Sequence, residues 1–110
     1  MIKVVIKRDS EGSIRSFSVD GHAGYAKKGS DIVCSAVSAT AYTAAGALQE
    51  LAGLEGCHTV ADGHMTVTIP SSITGDQASI AGIIMETAAI GFKQIELSYG
   101  KYVVVVEEEV

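Results

Sequence analysis

His22 and Cys34 lie twelve residues apart, with Gly21, Gly24 and Gly29 punctuating the chain around them. Histidine is the side chain that takes and returns protons near neutral pH. Cysteine, once deprotonated, is the most nucleophilic side chain of the common set. Asp31 precedes an apolar run and suits a helix N-cap, which puts Cys34 at the third helical position. There the helix dipole and the unpaired N–H groups of the first turn favour an anionic sulfur. Asp31, Cys34 and Ser38 are spaced i, i+3, i+7 and share one helix face. Asp31 can cap the helix, orient His22, or both. Ser38, one turn past the thiol, can donate to a substrate backbone or an oxyanion, or bond back to its own helix. A lone cysteine in an alanine-rich helix is ordinary filling. The histidine across a glycine-rich loop turns it into a candidate for thiol acyl transfer, with helix-start N–H groups as the expected oxyanion donors.

Two rival chemistries fit less well. Gly24 and Gly29 have the spacing of a phosphate loop, but Ser30 and Asp31 stand where Lys and Ser or Thr are needed. A zinc site drawn from His22, Cys34, Cys57, His58 and His64 lacks a close cysteine pair or the two-histidine helical spacing. No metal and no cofactor are expected.

Several elements must carry these residues. Ile2, Val4 and Ile6 alternate with Lys3, Val5 and Lys7, a half-buried strand. After a turn at Ser10, Glu11 and Gly12, a second strand puts Ile14, Ser16 and Ser18 opposite Phe17 and Val19. A helix follows from Asp31 to about Leu51, with Val33, Val37, Ala41, Ala44, Leu48 and Leu51 at helical spacing. It is apolar or small almost all round, as in a helix buried on several sides that crosses a sheet and meets a second subunit. His58–Ala61 and His64–Ile69 form a hairpin about Asp62 and Gly63, and Pro70 stops it. A second helix from Thr74 to Ser98 places Ile80, Ile84, Ala88, Phe92 and Ile95 on one face. Tyr102–Val106 reads as a central strand, followed by a solvated tail at Glu107–Glu109. The expected fold class is α+β, a single sheet of about five strands with two helices in the order ββαββαβ.

The chain has 110 residues, 47% of them hydrophobic, no Trp, and a net charge of −5. That suffices for one domain over residues 1–110 with its own core, built chiefly from Val, Ile, Ala and Leu. The acidic balance argues against direct nucleic-acid binding, since Lys7–Arg8 and Lys27–Lys28 are the only basic pairs. The alternating N-terminus reads as a strand rather than a signal peptide or membrane span, so a cytoplasmic protein with no membrane partner is expected. Two cysteines there are expected as free thiols.

The stretch Asp20, Gly21, His22, Ala23, then Gly29, then Asp31, Ile32, Val33, Cys34, then Ser38 resembles the signature of the ribosomal-processing cysteine protease family, Prp. The resemblance extends to length and element order. It implies a homodimeric cysteine endopeptidase with a peptide substrate. The family's enzymes remove the N-terminal extension of large-subunit ribosomal protein number twenty-seven, cleaving after an aromatic residue, a step in ribosome assembly. It implies that His22 is the general base and Cys34 the nucleophile, and that Gly21, Asp31 and Ser38 position or contact substrate. A noncatalytic ribosome-associated binding module of the same fold is the alternative. The glycines further predict a loop, about Ala23 to Ser30, that is displaced without substrate and leaves the His–Cys pair unjoined.

Overall fold

The alternation of Ile2, Val4 and Ile6 produces the first strand, β1 (Ile2–Arg8), and all three side chains are buried. The computed structural model describes residues 1–27 and 31–110. Its elements continue with β2 (Ile14–Asp20), α1 (Ile32–Ala52), β3 (His58–Ala61), β4 (His64–Thr68), α2 (Gly75–Tyr99) and β5 (Val103–Glu109). The expected α+β order ββαββαβ is the one observed. The five strands form one sheet in the order β3-β4-β2-β1-β5. β1 pairs antiparallel with β2 and parallel with β5, and β4 pairs antiparallel with both β2 and β3. Side chains alternate across a strand. One face therefore carries Val4, Phe17, Val67 and Val103, all buried, and the helices close over it. Phe17 meets Phe92 of α2 edge to face at 5.1 Å, so two of the few aromatic residues anchor a core otherwise made of aliphatic side chains.

Four details depart from the sequence-based expectation. Ile14 and Phe17 are both buried rather than on opposite faces. The β1–β2 register passes from Lys7↔Ser16 to Arg8↔Ile14, skipping Arg15. This bulge shifts the side-chain alternation by one residue and returns Ile14 to the core. In α1, Leu51 is 66% exposed, and Ala45 and Ala52 join the expected Val33, Val37, Ala41, Ala44 and Leu48 on the buried side. Only one side of this helix is covered. In α2 the buried stripe is Ala81, Met85, Ala88, Ala89 and Phe92, while Ile80 is exposed. Steps of four residues rotate about 40° per repeat on an α-helix, so Ile80 swings off the face that Phe92 occupies. The last difference is β5, an edge strand that runs on through Glu109. Glu107 stays in the sheet because Arg8 and Lys93 both pair with it. Those two cations hold its carboxyl below the usual range, Lys93 contributing most.

α1 ends at Gly53, whose φ of 67° suits a residue without Cβ, and the N–H groups of Gly53 and Leu54 both reach the Leu48 carbonyl. α2 begins after Thr74, which occupies the N-cap without a side-chain capping bond.

Candidate active site

The site is assembled around one buried carboxylate. Asp31, 6% exposed, caps α1 with Oδ1 accepting the N–H groups of Val33 and Cys34, each at 3.0 Å. Its other oxygen turns to the loop and accepts the N–H groups of Tyr25 at 3.1 Å and Ala26 at 3.4 Å. Hydrogen bonding to the ionised form stabilises it. The Cys34 N–H, foremost among these donors, holds the Asp31 carboxyl below its ordinary range against the opposing effect of burial. Asp31 is thus both cap and loop anchor. Both oxygens are engaged this way, and among the described residues neither bonds the His22 ring.

The cap puts Cys34 at the third helical position, as the sequence predicts. Its partly buried Sγ accepts the Ala23 N–H at 3.3 Å. The Val33 and Cys34 N–H groups, expected as oxyanion donors, are already taken by Asp31. Among the described residues, the backbone donor that faces the sulfur is Ala23. Ala23 is buried and Tyr25 stacks edge to face on Tyr102 and Tyr99, with ring centroids 5.2 and 5.9 Å apart. The loop from Ala23 to Ala26 is therefore tied down, contrary to the expectation of a displaced loop, because three backbone amides and one aromatic ring find partners. The part of that expectation concerning Lys28, Gly29 and Ser30 falls outside the described residues.

His22 and Cys34 border the same two depressions. One is a cleft of about 190 Å³ between α1 and the adjoining ends of β2, β3 and β4, with apolar walls from Val19, Ala41, Tyr42, Val60 and Met65. The other opens on the loop side, between His22, Gly24, Ala26, Asp31 and Ser35. Ser38 borders both, exposed and one turn from the thiol, with no back-bond to its own helix of the kind Ser35 makes to the Asp31 carbonyl. Among the described residues no hydrogen bond joins the His22 ring to Cys34, although both border the same two depressions.

Gly21 is at the site for a steric reason. Its φ is +89°, and a Cβ there would lie 2.6 Å from the Met1 carbonyl oxygen. Its N–H donates to the Gly63 carbonyl at 2.9 Å, which brings the β3–β4 turn beside His22. Sequence reasoning located that turn but not its neighbours. Gly63, His64 and Met65 join the site through the β2–β4 pairing, and Tyr42 reaches it from α1. Cys57 lies apart in the core, its thiol pushed up by burial.

A thiol at a helix start, a histidine at a strand end and an apolar cleft between them are the parts of a cysteine protease. The chain belongs to the cysteine protease Prp family, whose model matches residues 1–104. The ribosomal processing cysteine protease Prp of Bacillus subtilis is 31% identical over 101 residues, 90% of each chain. Among solved structures, the S. aureus ribosomal processing protease Prp with a covalently linked product peptide superposes with a TM-score of 0.87 at 26% identity, covering 98% of this chain and 100% of that one. The same S. aureus protease with a substrate peptide gives a TM-score of 0.80 at 25% identity, over 98% and 100% of the two chains. A Streptococcus mutans protein gives 0.78 at 27%, over 100% of this chain and 96% of its own.

Proposed function

We propose that this chain is a cysteine endopeptidase that trims the N-terminal extension of large-subunit ribosomal protein number twenty-seven, cleaving after an aromatic residue. The observation that carries the reading is Cys34 at the start of α1, bordering one cleft with His22. It is joined by the similarity to ribosomal processing proteases and by the peptides bound to the S. aureus enzyme. His22 takes the proton of the Cys34 thiol, and the sulfur adds to the scissile carbonyl carbon. Collapse of the adduct breaks the C–N bond, and His22 returns the proton to the leaving amine. Water, deprotonated by His22, then hydrolyses the thioester and restores the thiol. The apolar cleft walled by Val19, Val60 and Met65 suits an aromatic side chain next to the bond.

The enzyme works in the cytoplasm as a homodimer. The open outer side of the helices favours that assembly. Ile83, Ile90 and Leu97, seven residues apart on α2, form one exposed stripe, and a groove of about 570 Å³ separates Ile83 from Leu51 of α1. The deciding experiment is cleavage of a synthetic extension peptide, with product masses and light scattering on the same sample. Hydrolysis after the aromatic residue, lost in Cys34→Ala, supports the reading. Binding of the peptide without hydrolysis indicates a noncatalytic binding module.

A further inference from the structure

His22 needs an orienting partner, and neither nearby carboxylate supplies one. Asp31 is engaged with four backbone amides. Asp20, two residues before His22, is engaged with His64 across the β2–β4 ladder. Among the described residues no group hydrogen-bonds the His22 ring. What the ring does have is a backstop. A Cβ on Gly63 would lie 3.4 Å from His22 Nε2, so the imidazole stands against the bare backbone of the β3–β4 turn. We infer that this turn positions the His22 imidazole, and that His64, through its bond to Asp20, is the positioning residue that fixes the turn.

The chemistry of the His64 contacts supports a rigid post. A carboxylate only accepts, so His64 Nδ1 carries the hydrogen shared with Asp20 Oδ1. Nε2 lies 2.8 Å from the Thr66 hydroxyl, which donates to it when the ring is neutral and accepts from it when the ring is protonated. The ring is held at both nitrogens in either state. Below it the Gly21 N–H ties to the Gly63 carbonyl at 2.9 Å. Asp20, Gly21 and His22 are consecutive. The first is clamped by His64, the second is bonded to Gly63, and the third rests on Gly63. A turn that shifts therefore releases the histidine. Gly63 itself has φ +70° and admits no side chain without both backbone strain and contact with the ring.

This inference rests on the proposed protease reading, and two measurements keep the two apart. One is kinetics on the synthetic extension peptide. The other is the rate of Cys34 alkylation by iodoacetamide near neutral pH, which reads the His22–Cys34 pair without a peptide. For His64→Ala we expect kcat to fall about 10- to 100-fold, the cost of misplacing a reacting group by about an ångström. KM should stay within about twofold. Alkylation should slow in parallel, the melting temperature should hold, and His64→Gln, which can still donate to Asp20 and accept from Thr66, should recover part of the loss. A kcat and an alkylation rate both within about twofold of the wild type, or a loss confined to KM or tracking unfolding, overturns the inference. If the wild type alkylates quickly yet leaves the peptide intact, the substrate reading falls, and slowed alkylation in His64→Ala still supports the positioning role.

Discussion

Asp31 and Cys34 are linked through a single peptide group, since the N–H of the thiol's own residue donates to Asp31 Oδ1 at 3.0 Å. The other oxygen of that carboxylate holds the amides of Tyr25 and Ala26. One side chain thus fixes the helix start that presents the sulfur and the loop that brings the Ala23 N–H to it. Asp31→Asn separates the two roles. Its amide oxygen can still cap α1, but its NH₂ group cannot accept from the loop amides. Activity should fall well before the melting temperature does. Asp31→Ala should lower both. An Asn variant with full turnover would reduce Asp31 to a cap.

The same carboxyl predicts an acid limit. Its folded-state pKa is depressed, chiefly by the Cys34 N–H. A group of this kind contributes stability that is complete above its unfolded value, about 3.9 for Asp, and is lost as pH falls through the folded value. Glu107, depressed by Lys93 and Arg8, adds in the same direction. Stability should therefore hold from neutral pH down to about 4 and decline below it. The decline should be shallower in Asp31→Asn, as urea titrations at successive pH values would reveal.

Much of this arrangement is legible in the sequence because it is local. The N-cap at Asp31, the position of Cys34, the β3–β4 turn and the order of elements all follow from residues within a few places of each other. What escapes is long-range. Arg15 does not announce the bulge that turns Ile14 inward, since a bulge is defined by its partner strand. The run from Val103 to Val106 has the composition of a central strand, yet it lies at the edge beside β1, where Arg8 and Lys93 receive its acidic end. His64 reads as the start of a hairpin strand, or as one of a zinc set that does not fit, until β4 is laid against β2 and Asp20 stands opposite it. Tyr25 likewise has no visible periodicity, because its partners are Tyr99 and Tyr102 more than seventy residues away.

Tyr25 accordingly carries a prediction of its own. Each aromatic pair is worth about 0.5–1.5 kcal/mol beyond burial, and Tyr25 makes two. Tyr25→Ala should lower overall stability by about 1–3 kcal/mol and should loosen the loop around it most. Amide exchange at residues 25 and 26 should accelerate while the β1–β2 ladder stays protected. Equal protection in variant and wild type would mean that Asp31 holds the loop without help.

Gly21→Ala should be among the most damaging single-methyl changes in the chain. The backbone at φ +89° is strained for any residue with a Cβ, and that atom would sit 2.6 Å from the Met1 carbonyl oxygen. Positions of this type cost about 1–3 kcal/mol. The urea midpoint should fall by a corresponding amount. Gly12→Ala, with φ +85° but open space around it, should cost less, and an equal loss at both positions would show that the Met1 contact is immaterial.

The two thiols should differ sharply. Cys34 borders both depressions and receives the Ala23 N–H, whereas Cys57 is buried and its thiol is pushed up by that burial. Iodoacetamide should label Cys34 first, and labelling at Cys57 should appear only with denaturant. Cys57→Ser should leave turnover near that of the wild type, with a stability loss of about 1–3 kcal/mol if the buried hydroxyl finds no partner. Cys34→Ala and His22→Ala should each abolish peptide cleavage without unfolding, and the double variant should be no worse than either, because in the proposed mechanism both residues serve one nucleophilic unit. Substantial activity left in His22→Ala would move the base elsewhere, and His64, anchored at both nitrogens on the rim of the same cleft, would be the next histidine to replace.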